Sequence, residues 1–141
     1  MYIFDTDHIS FIQRNGKEGK NILTKSKKVA TTEFFVTIIT YEEQLRGRLA
    51  FLAKKRTLEE QLLAYQGLFQ LAINYQTIPL LPFDQRATLE YQKLRQQYPR
   101  LGSMDLKIAA IALVNQAVLL TRNQSDFGKI LDLKSEDWSH D

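Results

Sequence analysis

The sequence predicts an α/β domain in which a parallel sheet carries helices on both faces. Two observations point to this. Short apolar runs rich in β-branched and aromatic residues recur at 2–4, 34–39, 77–81 and 117–121, and they have the length and composition of buried strands. Between them lie stretches with apolar residues at helical spacing, several opened by capping sequences. Strands alternating with long helical stretches produce parallel pairing. At 141 residues, 44% hydrophobic and 25% charged, the chain suits a single domain with a proper core.

Tyr2-Ile3-Phe4 makes the first strand and runs into Asp5-Thr6-Asp7. Ligands of open parallel sheets sit outside the carboxyl ends of the strands, so Asp5 stands where chemistry is usually done. The competing reading is that Asp7 or Thr6 caps the helix that follows. Residues 8–14 suit a short helix with Ile9, Phe11 and Ile12 inward and Asn15-Gly16 as its stop. His8 reads as a helix-surface or packing residue. Lysines around Ile22-Leu23 describe a second helix with a solvated outer face.

Residues 34–39 make a buried strand, and Thr40-Tyr41-Glu42-Glu43 fits a capping box opening a helix with Leu45, Leu49 and Leu52 at its apolar positions. Thr57-Leu58-Glu59-Glu60 opens another, with an inward stripe of Leu58, Leu62, Tyr65, Phe69 and Ala72. Pro79 keeps the strand at 77–81 from a central place. Asp84 caps a helix with Ala87, Tyr91, Leu94 and Tyr98 inward. Residues 104–114 are apolar on almost every face, with Asp105 and Lys107 as the only charges. A buried carboxylate needs a partner, so one is expected for Asp105. A last strand at 117–121 leads to the polar loop 122–127, and the tail through Trp138 is assigned no role.

With 19 Lys+Arg against 16 Asp+Glu the net charge is +3, compatible with a polyanionic partner. No cysteine is present, which removes disulfides, thiolate nucleophiles and Cys-based zinc sites. There is neither an amino-terminal basic segment leading into a long apolar run nor an 18-residue apolar stretch, so the expectation is a cytoplasmic protein without a membrane span.

In a parallel layout Asp5, Glu43, Asp105 and Asp126 all fall near one rim of the sheet. Two carboxylates about 4 Å apart repel by roughly 4 kcal/mol at an effective dielectric near 20, so positive charge must answer them. With only His8 and His140 as other donors, the set is all oxygen and suits Mg²⁺ or Mn²⁺. Taken singly, Glu43 also reads as part of a cap, Asp105 as a helix N-terminal acid and Asp126 as a loop carboxylate.

Phe4-Asp5-Thr6-Asp7, Ile39-Thr40-Tyr41-Glu42-Glu43-Gln44-Leu45-Arg46-Gly47, Asp105-Leu106-Lys107-Ile108-Ala109-Ala110-Ile111-Ala112-Leu113 and Leu119-Leu120-Thr121-Arg122-Asn123-Gln124-Ser125-Asp126-Phe127 together resemble the PIN-domain nucleases, and more narrowly the VapC-type toxins of type II toxin–antitoxin systems. The resemblance spans the chain and implies a single domain, 1–141, with a three-layer α/β/α PIN-like fold around a central, mostly parallel sheet. It implies a Mg²⁺-dependent endoribonuclease, with Mn²⁺ as a substitute, that leaves a 5′-phosphate and a 3′-hydroxyl. Asp5, Glu43 and Asp105 become metal-binding catalytic acids, Glu43 being preferred to Glu42 because Gly47 stands four residues on. The fourth place goes to Asp126 ahead of Asp7 and of Asn123, with Thr6 and Thr121 in support. Arg46, Arg48, Lys107 and Arg122 are candidates for phosphate contacts, Lys107 equally for a structural pairing with a buried acid. The implied partners are RNA, a small VapB-like antitoxin lying across the apolar helices, and a second copy of the chain in a homodimer. Two other readings stay open: a PIN-like binding protein that no longer cuts, and a haloacid-dehalogenase-like phosphatase using Asp5 and Asp7, whose later signatures are missing here.

Overall fold

In a computed structural model describing residues 1–141, five strands form one wholly parallel sheet. They are β1 (Tyr2–Phe4), β2 (Phe34–Thr37), β3 (Leu80–Leu81), β4 (Val118–Leu120) and β5 (Lys134–Glu136), in the spatial order β3-β2-β1-β4-β5. Helices α1 (Thr6–Arg14) and α2 (Lys17–Ser26) follow β1, α3 (Ile38–Ala53) and α4 (Leu58–Asn74) follow β2, α5 (Gln85–Gln97) and α6 (Ser103–Val114) follow β3, and the short α7 (Gln124–Phe127) joins β4 to β5. β1 is central, and the connections on its two sides reverse, so the carboxyl ends of β1 and β4 meet at the switch point where α/β sheets bind ligands.

The two-residue period of the strands divides the core. Ile3 and Leu119 join Leu106, Ile108, Ile111 and Phe127 in a cluster against α5 and α6. Phe4, Val36 and Leu120 face the other way, with Ile9, Ile22 and Trp138. Each such large side chain contributes roughly 1.5–3 kcal/mol by leaving water. Helix α6 carries six fully buried residues, as its unbroken apolarity predicts. Asn15 takes the left-handed conformation that ends α1 (φ 57°), and Gly19 lets α2 approach it, since a Cβ there would stand 2.3 Å from the Phe11 carbonyl oxygen.

Three details differ from the sequence reading. Strand β2 stops at Thr37, which caps α3 by accepting from the Thr40 amide; Thr40 is buried inside the first turn and is not the cap. The box at Thr57 and Glu60 does form. Helix α4 packs through Ala64 and Leu71, leaving Leu58, Leu62, Tyr65 and Phe69 exposed, Phe69 by 68%. Residues 134–136 add an edge strand beside β4. Of the two readings of His8, packing is the one found, since it is fully buried. No helix is long and apolar enough to cross a membrane.

Candidate active site

The register that sets Phe4 against Leu120 brings Thr121 beside Asp5 at the carboxyl edge. The Thr121 hydroxyl donates to Asp5 Oδ2 at 2.7 Å and accepts from the Asn123 amide at 3.1 Å. Asp5 occupies the N-cap position of α1, yet its carboxylate makes no capping bond and is 6% exposed. Neither Thr6 nor Asp7 caps the helix either, because both side chains are engaged elsewhere. Asp7 accepts from the Arg122 amide at 3.0 Å and, on its other oxygen, from His8 Nδ1 at 2.7 Å. His8 Nε2 accepts from the Trp138 amide at 3.1 Å, so the ring proton sits on Nδ1.

Glu43 is held by a file of hydroxyls. Thr37 points toward Thr40 at 3.5 Å, Thr40 stands 3.0 Å from Thr6, and Thr6 donates to Glu43 Oε1 at 3.0 Å. With the Thr6 proton spent on the carboxylate, Thr40 is the donor of the middle pair, so each hydroxyl donates forward. Asp105 reaches the same place from the first turn of α6.

Asp5, Asp7, Glu43 and Asp105 line one open cavity of about 370 Å³, with Asn123, Phe11 and Arg14 in its wall. Burial raises the Asp5 carboxyl to about 7; Asp7 and Asp105 add repulsion, and bonds from Thr121 and the Thr6 amide only partly offset them. Burial likewise raises Glu43 despite the Thr6 bond, with Asp105 and Glu42 adding to it. Asp105 is raised by burial, then by Asp126 and Asp7. No basic side chain is the partner of Asp105: the ion pairs of the chain involve Glu33, Asp7, Asp137, Glu42 and Glu90. As they stand, no three His, Asp or Glu side chains are gathered into a set that could hold a metal ion. Mutual repulsion acts in that direction. The donor set itself is all oxygen, and both ring nitrogens of His8 are occupied, which fits a hard divalent cation at Asp5, Glu43 and Asp105.

Residues 2–130 match the PIN domain. The chain belongs to the PIN domain family. It is 28% identical to "Ribonuclease VapC1" of Haemophilus influenzae (strain R2866) over 144 residues, covering 99% of this chain and 98% of that one. Among solved structures it is similar to VapBC-1 from nontypeable Haemophilus influenzae, with a TM-score of 0.76, 27% identity and 97% of each chain covered. A toxin–antitoxin complex from Klebsiella pneumoniae, with a TM-score of 0.72, 20% identity and all of both chains covered, shares the fold.

In this PIN domain the remaining sequence candidates are scattered. Asp126 stands behind Asn123, which donates to it at 3.2 Å, and it acts on Asp105 by charge without lining the cavity. Asp7 and Asn123 do line it. Arg46 is paired with Glu42 at 2.6 Å, and Lys107 lies over the rings of Phe83 and Tyr91 with no acidic partner, so its structural pairing is not found. Arg122 and Arg14 both approach the Phe11 ring, at 5.7 and 5.8 Å. Sequence reasoning passed over Arg14; it turned Phe11 inward, and Phe11 does pack against the core, while also lining the cavity. The available signal was spacing, because Asp7, Ser10, Phe11 and Arg14 fall on one face of α1 at steps of three and four.

Proposed function

We propose that this PIN domain is a metal-dependent endoribonuclease, the toxin of a type II toxin–antitoxin pair. The observation that carries the reading is the convergence of Asp5, Glu43 and Asp105 on one cavity with raised carboxyls and no basic partner. Groups perturbed by burial and like charge in a cleft are those that functional sites collect. The name of the 28% identical relative, a ribonuclease, supports RNA as the substrate.

Asp5, Glu43 and Asp105 would hold Mg²⁺ or Mn²⁺, with Asp7 or Asn123, which line the same cavity, in the fourth place and Asp126 acting on Asp105 from behind. When bound, the ion supplies a more acidic coordinated water and neutralises charge on the phosphate oxygens. The residues of the chain do the positioning. Thr121 keeps Asp5 turned into the cavity, and the hydroxyl file keeps Glu43 an acceptor. Asp7, anchored by the Arg122 amide and His8, sets the edge of the loop after β4. Hydrolysis then places water on phosphorus and a proton on the departing 3′ oxygen.

The exposed apolar residues of α4 support a small VapB-like antitoxin and a homodimeric arrangement as partners, in line with the relative solved as VapBC-1. Incubation with total cellular RNA decides the activity. Fragments are expected with Mg²⁺, none with EDTA, and none from Asp105→Asn under either condition. A folded protein that leaves RNA intact with both Mg²⁺ and Mn²⁺ overturns the reading in favour of a silent PIN-like binding protein.

A further inference from the structure

Beside the acidic cavity, and sharing Ser10 and Arg14 with it, lies a second one of about 420 Å³ between α1 and α3. Its lining contains no acid. Three features of its wall are unexplained by the packing of the chain. Arg48 is the one arginine that is not exposed, and its guanidinium lies along Gly67 of α4 with no ion pair. Gln13 carries the only buried side-chain nitrogen or oxygen without a hydrogen-bond partner, its Nε2. That amide is oriented from behind: Tyr75 donates to Gln44 Oε1 at 2.6 Å, and Gln44 Nε2 donates to Gln13 Oε1 at 2.9 Å, which leaves the NH₂ of Gln13, a residue that lines both this cavity and the larger groove beyond it, as a buried donor with nothing to meet. Gly47 stands in the middle of the unbroken helix α3, although a Cβ there would touch nothing within 4 Å. A mid-helix glycine costs about 1 kcal/mol against alanine, so an absence that no neighbour requires points to an occupant from outside.

The unfilled groups are donors, two guanidiniums and one amide, and the ligand they suit is one that offers acceptors and negative charge. We infer that this cavity is the subsite for a phosphate and nucleotide of the RNA strand flanking the bond to be cut. Arg48 and Arg14 engage the phosphate, Gln13 donates to an acceptor of the nucleotide, and the open face at Gly47 admits the strand. Phe51, in the same wall and with the Lys55 ammonium 4.0 Å from its ring centroid, continues the basic and aromatic alternation that single-stranded nucleic acids follow. This inference rests on the ribonuclease reading.

Two variants test it. Arg48→Gln removes the charge, and Gly47→Leu fills the opening while improving helix propensity, so the fold is expected to survive. Binding of a fluorescein-labelled oligouridine of about 12 nucleotides, within the span that single-strand binders cover, is followed by anisotropy in EDTA. Each variant should weaken binding by about tenfold, and Arg48→Gln should also flatten the logarithmic salt dependence by about 0.7. Unchanged affinity in both folded variants, or no binding by the unmodified protein, overturns the subsite. Cleavage of cellular RNA by the unmodified chain alongside unchanged binding by the variants removes the subsite and leaves the ribonuclease standing. Binding that depends on Arg48 and Gly47 without cleavage does the reverse.

Discussion

Asp5 and Asp137 are both largely withdrawn from water, and the chain treats them in opposite ways. Asp137 accepts from the amide and hydroxyl of Ser139 at 2.8 and 2.6 Å and stands 3.0 Å from His140. Burial pushes its carboxyl up, but these bonds, with His140 and His8 nearby, outweigh that and hold it below the usual range. Asp5 is raised to about 7 by burial, and the Thr121 hydroxyl and the Thr6 amide that bond it do not offset this, since Asp7 and Asp105 add repulsion. Ser139, His140 and His8 complete the surroundings of Asp137, whereas none of the 19 Lys and Arg residues of the chain pairs with Asp5. On the function proposed above, the shortfall marks the metal-binding acid better than its burial does.

The sharpest way to break this contrast is to remove the acids. Asp5→Ala, Glu43→Ala and Asp105→Asn should each lower RNA hydrolysis by at least about a thousandfold with circular dichroism unchanged. A folded Asp5→Ala protein that still cuts would sink the assignment. Stability should expose the same deficit. The Asp5 carboxyl is higher in the folded state, about 7, than its ordinary value of 3.8, so the folded state binds the extra proton. In EDTA its contribution is full below about pH 4 and declines as the pH rises to about 7, by about 4 kcal/mol at most. Urea titrations at pH 5 and pH 8 measure the slope, which Asp5→Asn should flatten. Mg²⁺ or Mn²⁺ should raise Tm at pH 8 in the unmodified protein and not in that variant.

Asp137 should behave with the opposite sign. Its lowered carboxyl stabilises above the ordinary pKa and loses that contribution as the pH falls through the folded value. Asp137→Ala should cost about 1–3 kcal/mol at pH 7 and much less at pH 3, read by urea unfolding. Thr57→Ala, at a capping box remote from both carboxylates, should cost only about 1 kcal/mol and leave the response to Mg²⁺ unaltered, which a thermal melt checks.

The apolar runs of β1, β2 and β4 and the edge place of β3 were legible, because periodicity and Pro79 report burial and pairing directly. Strand β5 was not, since Lys134, Ser135 and Glu136 lie on an edge with no apolar face to bury. The cap of α3 was misplaced because Ile38 and Ile39 suit a strand as well as a helix turn, and only tertiary packing decides between them. Helix α4 is apolar around much of its circumference, so spacing could not say which stripe faces inward; Ala64 and Leu71 do. At the site, Asp5, Glu43 and Asp105 could be gathered on paper from strand polarity alone. The engagement of His8 with Trp138, 130 residues away, could not, because nothing local in either segment announces it.

Placing β1 between β2 and β4 also bears on the order of folding. Helix pairs such as α1 with α2 and α3 with α4 close over short loops, whereas Tyr2 must find Val118 across nearly the whole chain. Contacts of that separation form late, since the entropy of closing so long a loop is lost before any pairing rewards it. Thr121, which orients Asp5, arrives only with that closure. Until then the carboxylates have no common cavity to line, and the chemistry of the protein becomes a property of its slowest contact.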